Sequence, residues 1–392
     1  MQDGAARVIS VRSLDNTVCY DVENEKGMRS APIARGGFFM LVIRHGLAYN
    51  DVLLIPRYSR VRSRNDVDLS TVIAPGIVLS VPLLSANMDT VTGADMAIAM
   101  HRLGGMGVVG RFDAPEAQAR IVQSVSDAGA RCIGVIGVKD DALRRAELLL
   151  AAGSRGLHLD VAHAHSEHAI EVTEDCKRRW PDVPLIVGTI ATYEAAIDLY
   201  EAGADTVKVG IGAGSTCITR INTGSGVPQI TAIMDVARAR AERFPDRYVI
   251  ADGGAANSGD IVKALAAGAD AYMGGSLFAG ADEAPGEIVE VDGSYFKHYN
   301  GSTSREEKLR QLAKYEAHKH ERYHLHIEGV EAMTPASGPV ADIVEALCAG
   351  IRSGLSYSGV LTIPELHERA EFIQITGAGY QESRAHDVLV RA

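Results

Sequence analysis

Apolar residues along this 392-residue chain gather in eight short runs, each closed by a glycine or a polar residue. They are Val81–Met88, Gly105–Gly110, Cys132–Gly137, Leu157–Val161, Pro184–Thr189, Thr206–Ile211, Tyr248–Gly253 and Ala271–Ser276. Runs this short and continuous predict strands buried on both faces, as in a parallel sheet covered by helices. They recur about 22 to 45 residues apart, which leaves room for a helix between each pair. The intervening segments are Ala-rich and amphipathic. Ala191–Ala202 stops at Gly203, and Gly259–Ala267 stops at Gly268. A glycine just past the last turn ends a helix in a left-handed conformation that other residues resist. Eight strands alternating with helices allow a doubly wound sheet or a barrel, and the count of eight favours a (β/α)8 TIM barrel.

Two segments depart from this rhythm. Residues 1–45 show no clear period and form an unassigned N-terminal extension. Residues 281–337 follow the eighth strand, are rich in Lys, Glu and His, and precede a helix at Val340–Gly350. A polar insertion of that length in a barrel is expected to be a flap or lid. Residues 46–392 are thus expected to form one barrel domain that includes the flap and a C-terminal tail, 370–392.

Composition narrows the function. With 46% hydrophobic and 23% charged residues, the chain is neither disordered nor built to span a bilayer. A net charge of −11 argues against nucleic-acid binding as the main task. The five cysteines, Cys19, Cys132, Cys176, Cys217 and Cys348, show no CxxC spacing, so a disulfide framework or zinc ribbon is a poor reading. Met1–Ser10 lacks the basic start and apolar core of a signal peptide, and a cytoplasmic location is expected.

In a barrel the active site lies at the carboxyl ends of the strands. The fourth strand ends at Asp160, the seventh at Asp252 and the eighth at Gly275-Ser276. The sixth runs into Gly210-Ile211-Gly212-Ala213-Gly214-Ser215-Thr216-Cys217, followed by Thr219 and Arg220. Such a loop brings backbone N–H groups close to a ligand and leaves a thiol at its tip, near Arg220, placed as a nucleophile. The remaining cysteines read as small core residues. The glycines after Asp252 and around Ser276 stand where many barrels hold a phosphate. His163, His165 and His168, and His318, His320, His324 and His326, lack HExxH spacing and read as loop and solvated flap rather than as metal sites.

These residues resemble the IMP dehydrogenase and GMP reductase family. Residues 210–229 (GIGAGSTCITRINTGSGVPQ) look like its cysteine loop. YNDVLLIPRYS, SANMDTVTGADMAIAMHRLGGMGVV, LDVAHAHS, VIADGG, GGSLFAGADEAPGE and ITGAGYQESRAHDV match it in order, from about Tyr49 to Val388. The resemblance implies a barrel, usually a homotetramer, that acts at purine C2 of a nucleoside monophosphate with NADPH or NAD. Cys217 would form a covalent thioimidate, with Thr219 and Glu328 handling the water or ammonia proton. Ser215, Gly254, Gly275, Ser276, Tyr299 and Gly301 would hold the phosphate end of the substrate. Asp252 would bind its ribose and Asn87 would border the base. Asp160, Gly210 and Gly212 would serve the cofactor. Carbonyls of Gly212, Gly214 and Cys217, with Glu382, would hold a potassium ion. The CBS module that many family dehydrogenases insert after the second strand is absent, since Gly110 leads directly into a helix.

Asn87, Thr223 and the segment Tyr299–Ser304 look like the reductase branch, so reduction of GMP to IMP with NADPH and release of ammonia is the favoured expectation. The tail Glu382–Asp387 looks like the dehydrogenase branch, as does an Arg-Tyr pair at Arg322-Tyr323, misplaced relative to Glu328, or at Lys314-Tyr315 with its Arg lost. Thr189 replaces an Asn expected in either branch. The alternatives are IMP dehydrogenase, a member acting on a modified purine such as a 7-deazapurine nucleotide, and a nucleotide-binding sensor without turnover.

Overall fold

The eight apolar runs form eight parallel strands that close on themselves. They are β1 (Leu83–Ser85), β2 (Met106–Val109), β3 (Cys132–Ile136), β4 (Leu157–Asp160), β5 (Leu185–Ile190), β6 (Thr206–Val209), β7 (Tyr248–Asp252) and β8 (Ala271–Gly274). Each pairs with the next in sequence, and β8 returns to β1 through Tyr272 opposite Leu83 and Gly274 opposite Ser85. The computed structural model describes residues 7–14, 17–23, 42–314 and 325–388.

A helix follows each strand: α1 (Ala94–Arg102), α2 (Pro115–Asp127), α3 (Ala142–Ala151), α4 (Glu167–Arg179), α5 (Tyr193–Glu201), α6 (Gln229–Arg243), α7 (Ser258–Ala266) and α8 (Val340–Tyr357). Local chemistry sets their ends. Thr192 and Asn257 cap α5 and α7 by accepting from the N–H groups of Ala195 and Asp260. Past α7, Gly268 has φ +111°, and a Cβ there would stand 2.4 Å from Ala237 Cβ. Only glycine satisfies both conditions. Residues 110–114 alone join β2 to α2, so no module is inserted there.

Ile133, Val135, Ile186, Ile250 and Met273 fill the barrel, together with Ile73, Ile77 and Leu79 from the hairpin Thr71–Ala74/Ile77–Leu79. Thr206, first residue of β6, donates its hydroxyl to the Ile73 carbonyl. The hairpin therefore plugs the amino end of the barrel, and the carboxyl end is left for a cleft. The tail strand Phe372–Gln374 pairs with Val52–Leu54.

The flap and the extension, which show no clear period in sequence, contain regular structure. Val289–Val291, Ser294–His298 and Met333–Pro335 form a three-stranded antiparallel sheet, and Arg305–Lys314 is helical. These strands have three to five residues and mostly exposed side chains, so they leave no apolar run to read. Lys297, buried in this sheet, donates its Nζ to the carbonyls of Ala281, Asp282 and Ala284, which ties the sheet to the segment after β8. The chain divides into two compact units, 1–47 and 48–392. Within the first, Arg7–Leu14, Thr17–Glu23 and Val42–Arg44 form an antiparallel sheet. Arg322-Tyr323, Tyr315 and His318, His320 and His324 lie outside the described residues.

Candidate active site

Strand ends and flap line an open cleft at the carboxyl end of the barrel. The cysteine loop forms one wall. Gly210 leaves β6 at φ +155°, where a Cβ would stand 2.1 Å from the Asp252 carbonyl oxygen. This close approach lets the loop turn over β7. The loop then meets the flap edge to edge: Cys217 bridges Gly329, Ile218 N–H donates to Glu328 O at 2.8 Å, and Val330 N–H donates to Thr216 O at 3.0 Å.

That backbone pairing places three side chains in line. Cys217 Sγ–H donates to Thr219 Oγ1 at 3.1 Å, and Thr219 donates to Glu328 Oε2 at 2.7 Å. The thiol is partly exposed to the cleft, whereas Cys132, Cys176 and Cys348 are buried. Burial pushes the thiols of Cys132 and Cys176 up to about 12 and raises that of Cys348, so all three stay protonated and inert. Arg220 differs from expectation. Its guanidinium turns away to the carbonyls of Val227 (2.6 Å) and Ile211 (3.4 Å), and its side chain packs over Gly212 and Gly226, whose missing side chains leave the space.

Ser215, Gly254, Gly275, Ser276, Tyr299 and Gly301 line one region of the cleft. Ser215 donates to the Tyr299 hydroxyl at 3.4 Å. At Gly275 a Cβ would stand 2.7 Å from that hydroxyl, so the glycine brings backbone and phenol together. Hydroxyls and glycine N–H groups crowded in this way suit a phosphate.

The floor carries a charged network that sequence reasoning saw only in part. Lys208, on β6, is buried and reaches three groups: Asp160 Oδ1 at 3.1 Å, Thr189 Oγ1 at 2.7 Å and, closest of all, Asp252 Oδ2. Gly188 opposite makes room, since a Cβ there would stand 2.7 Å from Lys208 Cβ. Asn87 donates to Asp160 Oδ2 at 2.7 Å, Thr189 to Asp160 Oδ1 at 3.3 Å, and Arg111 Nε to the Asp160 carbonyl at 3.2 Å. Burial alone would raise Asp160, but Lys208 and then His158 outweigh it and hold the carboxyl at about 2. Burial likewise would lower Lys208, and the two carboxylates keep it above the ordinary lysine value. Asp252 stays somewhat raised because burial exceeds the help from Lys208.

Asn87, Asp160, Ser215, Cys217, Thr219, Asp252, Gly254, Gly275, Ser276, Tyr299, Gly301 and Glu328 therefore face one cleft, with Gly210, Gly212 and Gly214 on its rim. Glu382 does not join them. It lies on the exposed tail helix Gly377–Glu382 and lines a separate depression with Arg384 and His386. Among the described residues no cluster of three His, Cys, Asp or Glu could hold a metal, and His165 instead pairs with Asp198 at 2.8 Å. Lys208, Arg111 and His158 were not anticipated. A lysine two residues before Gly210, inside an apolar strand run, was the readable signal for the first.

The family model for the IMP dehydrogenase / GMP reductase domain matches residues 46–386. The inosine-5'-monophosphate dehydrogenase of Nitrosopumilus maritimus is 34% identical, with 88% of this chain and 99% of that protein covered. That of Borreliella burgdorferi is 37% identical, with 88% and 98% covered. Among solved structures, a cysteine-to-alanine variant of the GMP reductase of Trypanosoma brucei bound to guanosine 5'-monophosphate matches with a TM-score of 0.83 at 30% identity, covering 88% of this chain and 99% of that one. A closed parallel barrel, a thiol presented by the sixth-strand loop and matches of this length agree: the chain belongs to the IMP dehydrogenase/GMP reductase family.

Proposed function

We propose that this oxidoreductase reduces GMP to IMP, consuming NADPH and releasing ammonia. The observation that carries the reading is the Cys217–Thr219–Glu328 chain of hydrogen bonds. Cys217 adds to purine C2 as the thiolate, which turns the aromatic carbon tetrahedral and loosens its amino group. Thr219, between thiol and carboxylate, delivers a proton to the departing amine, and Glu328 replenishes it. The amine leaves as ammonia, and the remaining adduct is a C2 thioimidate on Cys217. Hydride addition at that carbon, the chemistry a bound nicotinamide would supply, would let Cys217 depart as thiolate and release IMP. Asp252 accepts from the nucleotide ribose, and the hydroxyls around Tyr299 and Ser276 hold its phosphate. Asp160 faces the same cleft with one acceptor position beyond its three side-chain partners and fits a hydroxyl of the cofactor ribose. The flap segment Glu328–Val330, which pairs with the cysteine loop beside the thiol, keeps water from intercepting the adduct.

The second reading, oxidation of IMP with NAD and water, is favoured by the names of the relatives from N. maritimus and B. burgdorferi. One spectrophotometric assay run both ways separates the two: GMP with NADPH, and IMP with NAD, each with and without potassium. Loss of NADPH absorbance on GMP is expected. NADH formation from IMP without NADPH loss on GMP would reverse the assignment. Silence in both directions, with nucleotide still bound, would point to a modified purine or to a sensor. Sedimentation of the same sample tests the tetramer that the resemblance implies.

A further inference from the structure

Beneath the charged floor lies a group that the proposed chemistry does not use. His158 precedes Asp160 by two residues on β4, so both side chains point into the barrel. Its strand partners in register are Val135 and Ile186, both buried and apolar. The imidazole is fully buried and neither ring nitrogen has a hydrogen-bond partner. Burial pushes it down to about 3, so the ring is neutral at neutral pH, with one nitrogen a donor and the other an acceptor. An apolar residue would suit this position better, since a buried polar group without a partner opposes folding.

The geometry around the ring suggests what the histidine does. Nε2 stands 3.8 Å from Asp160 Oδ1, a little under 1 Å beyond a good hydrogen bond. The bonds that Oδ1 now accepts are its long ones, 3.1 Å from Lys208 and 3.3 Å from Thr189, while Oδ2 is held by Asn87 at 2.7 Å. Lys208 sits closer to Asp252 than to Asp160. Asp160 is thus anchored at one oxygen and loosely held at the other, and the unpartnered donor lies on the loose side.

We propose that His158 is a positioning residue that acts as the reserve donor of Asp160. When a cofactor ribose hydroxyl binds the carboxylate from the cleft, Asp160 pivots about its Asn87 bond, Oδ1 leaves Lys208 to Asp252, and the Nε2–H of His158 takes that place. The Nε2–H of His158 thereby gains the acceptor that stands 3.8 Å from it. This inference rests on the reading of Asp160 as the nicotinamide-ribose contact.

The test uses calorimetric titration of NADPH, with NADH as a second probe, into GMP-saturated full-length protein carrying Cys217→Ala, so that no turnover disturbs the complex. Adding His158→Val is expected to raise the cofactor Kd about fivefold or more while leaving Tm unchanged or higher. His158→Gln, which restores a donor, is expected to recover most of the affinity. With Cys217 intact, His158→Val should raise the cofactor KM by a similar factor and leave kcat within about twofold. An unchanged Kd in His158→Val would overturn the proposal. So would a loss of affinity shared by His158→Gln and accompanied by a fall in Tm, since that marks a merely structural histidine. If the Cys217→Ala parent binds GMP but neither cofactor, the reading of Asp160 fails and this inference fails with it.

Discussion

The cysteines of the barrel illustrate how position rather than residue type decides chemistry. Cys132, Cys176 and Cys348 are buried, with thiols raised by desolvation, while Cys217 faces the cleft beside Thr219. Cys217→Ala should abolish turnover and leave nucleotide affinity within a few-fold, read by steady-state assay and calorimetry. Cys176→Ala should cost about 1 kcal/mol or more of stability with little change in rate. Residual activity near wild type in Cys217→Ala would end the covalent mechanism. The buried His158 has a different signature. Its folded value is depressed to about 3, so in the unfolded chain it takes up a proton below about 6.5 that the folded protein refuses. Stability is therefore full above that pH and declines as pH falls, by up to about 1.4 kcal/mol per pH unit. Asp160, also depressed, loses its contribution lower, between about 4 and 2. Melting curves from pH 7.5 to 5 should consequently show a slope that His158→Val reduces. An identical slope in that variant would place the titration elsewhere.

At the level of elements, two contacts between flap and barrel can be tested separately. The segment containing Glu328 is paired with the cysteine loop through backbone bonds, and Arg310 ties the helix Arg305–Lys314 to Asp89 after β1 while also pairing with Glu307 of its own helix. Arg310→Ala should free the helix without touching the thiol. Hydrogen exchange should rise in residues 305–314, KM for nucleotide should increase several-fold, and the Glu328–Ile218 bond should stay protected. Protection unchanged in that helix would show that the ion pair holds nothing. Glu328→Gln is a separate matter. It leaves the backbone pairing but weakens the proton supply, so ammonia release should slow by about 10²-fold or more while hydride transfer slows less. The same elements show what periodicity can and cannot reveal. The eight barrel strands were legible because burial on both faces makes them continuously apolar, as in Ile133–Ile136 and Ile186–Val187. The flap strands were not, because Ser294–His298 has only Lys297 buried, and a lysine there reads as surface. Cys217, Asp160 and Asp252 were legible from their place at strand ends. The network joining the two carboxylates was not, because Lys208, Thr189 and Asn87 converge from three strand ends far apart in sequence.

For the molecule as a whole, the question is how much of the chain the chemistry needs. The unit spanning 48–392 contains the closed barrel, the hairpin that plugs its amino end, the described part of the flap and the tail strand paired with Val52–Leu54. Every residue assigned a role in the cleft lies within it. The hydrogen bonds that hold the cysteine loop, the charged floor and the flap strand likewise begin and end within it. Arg7–Leu14, Thr17–Glu23 and Val42–Arg44 form an antiparallel sheet within the other unit. A compact unit that contains the whole cleft is expected to fold without the other. A chain that starts at Ala48 is therefore expected to fold, to unfold with a Tm within a few degrees of the parent, and to retain nucleotide affinity and kcat within about twofold, because every residue that lines the cleft stays in the chain. The cut should not be moved further inward. Ala48 N–H donates to Asp51 Oδ2 at 2.8 Å, and the Tyr49 carbonyl accepts from Lys263 of α7 at 2.9 Å. The Tyr49 ring is buried beside Gly254, 3.3 Å from where a Cβ would stand. Starting at Asp51 would remove the ring packed behind Gly254, and nucleotide KM should then rise about tenfold or more while the barrel still folds. Thermal melts and nucleotide titrations on the two truncations decide the matter. Equal nucleotide affinity in both would remove Tyr49 from the site. Loss of folding on removal of residues 1–47 would show that the first unit supports the barrel after all.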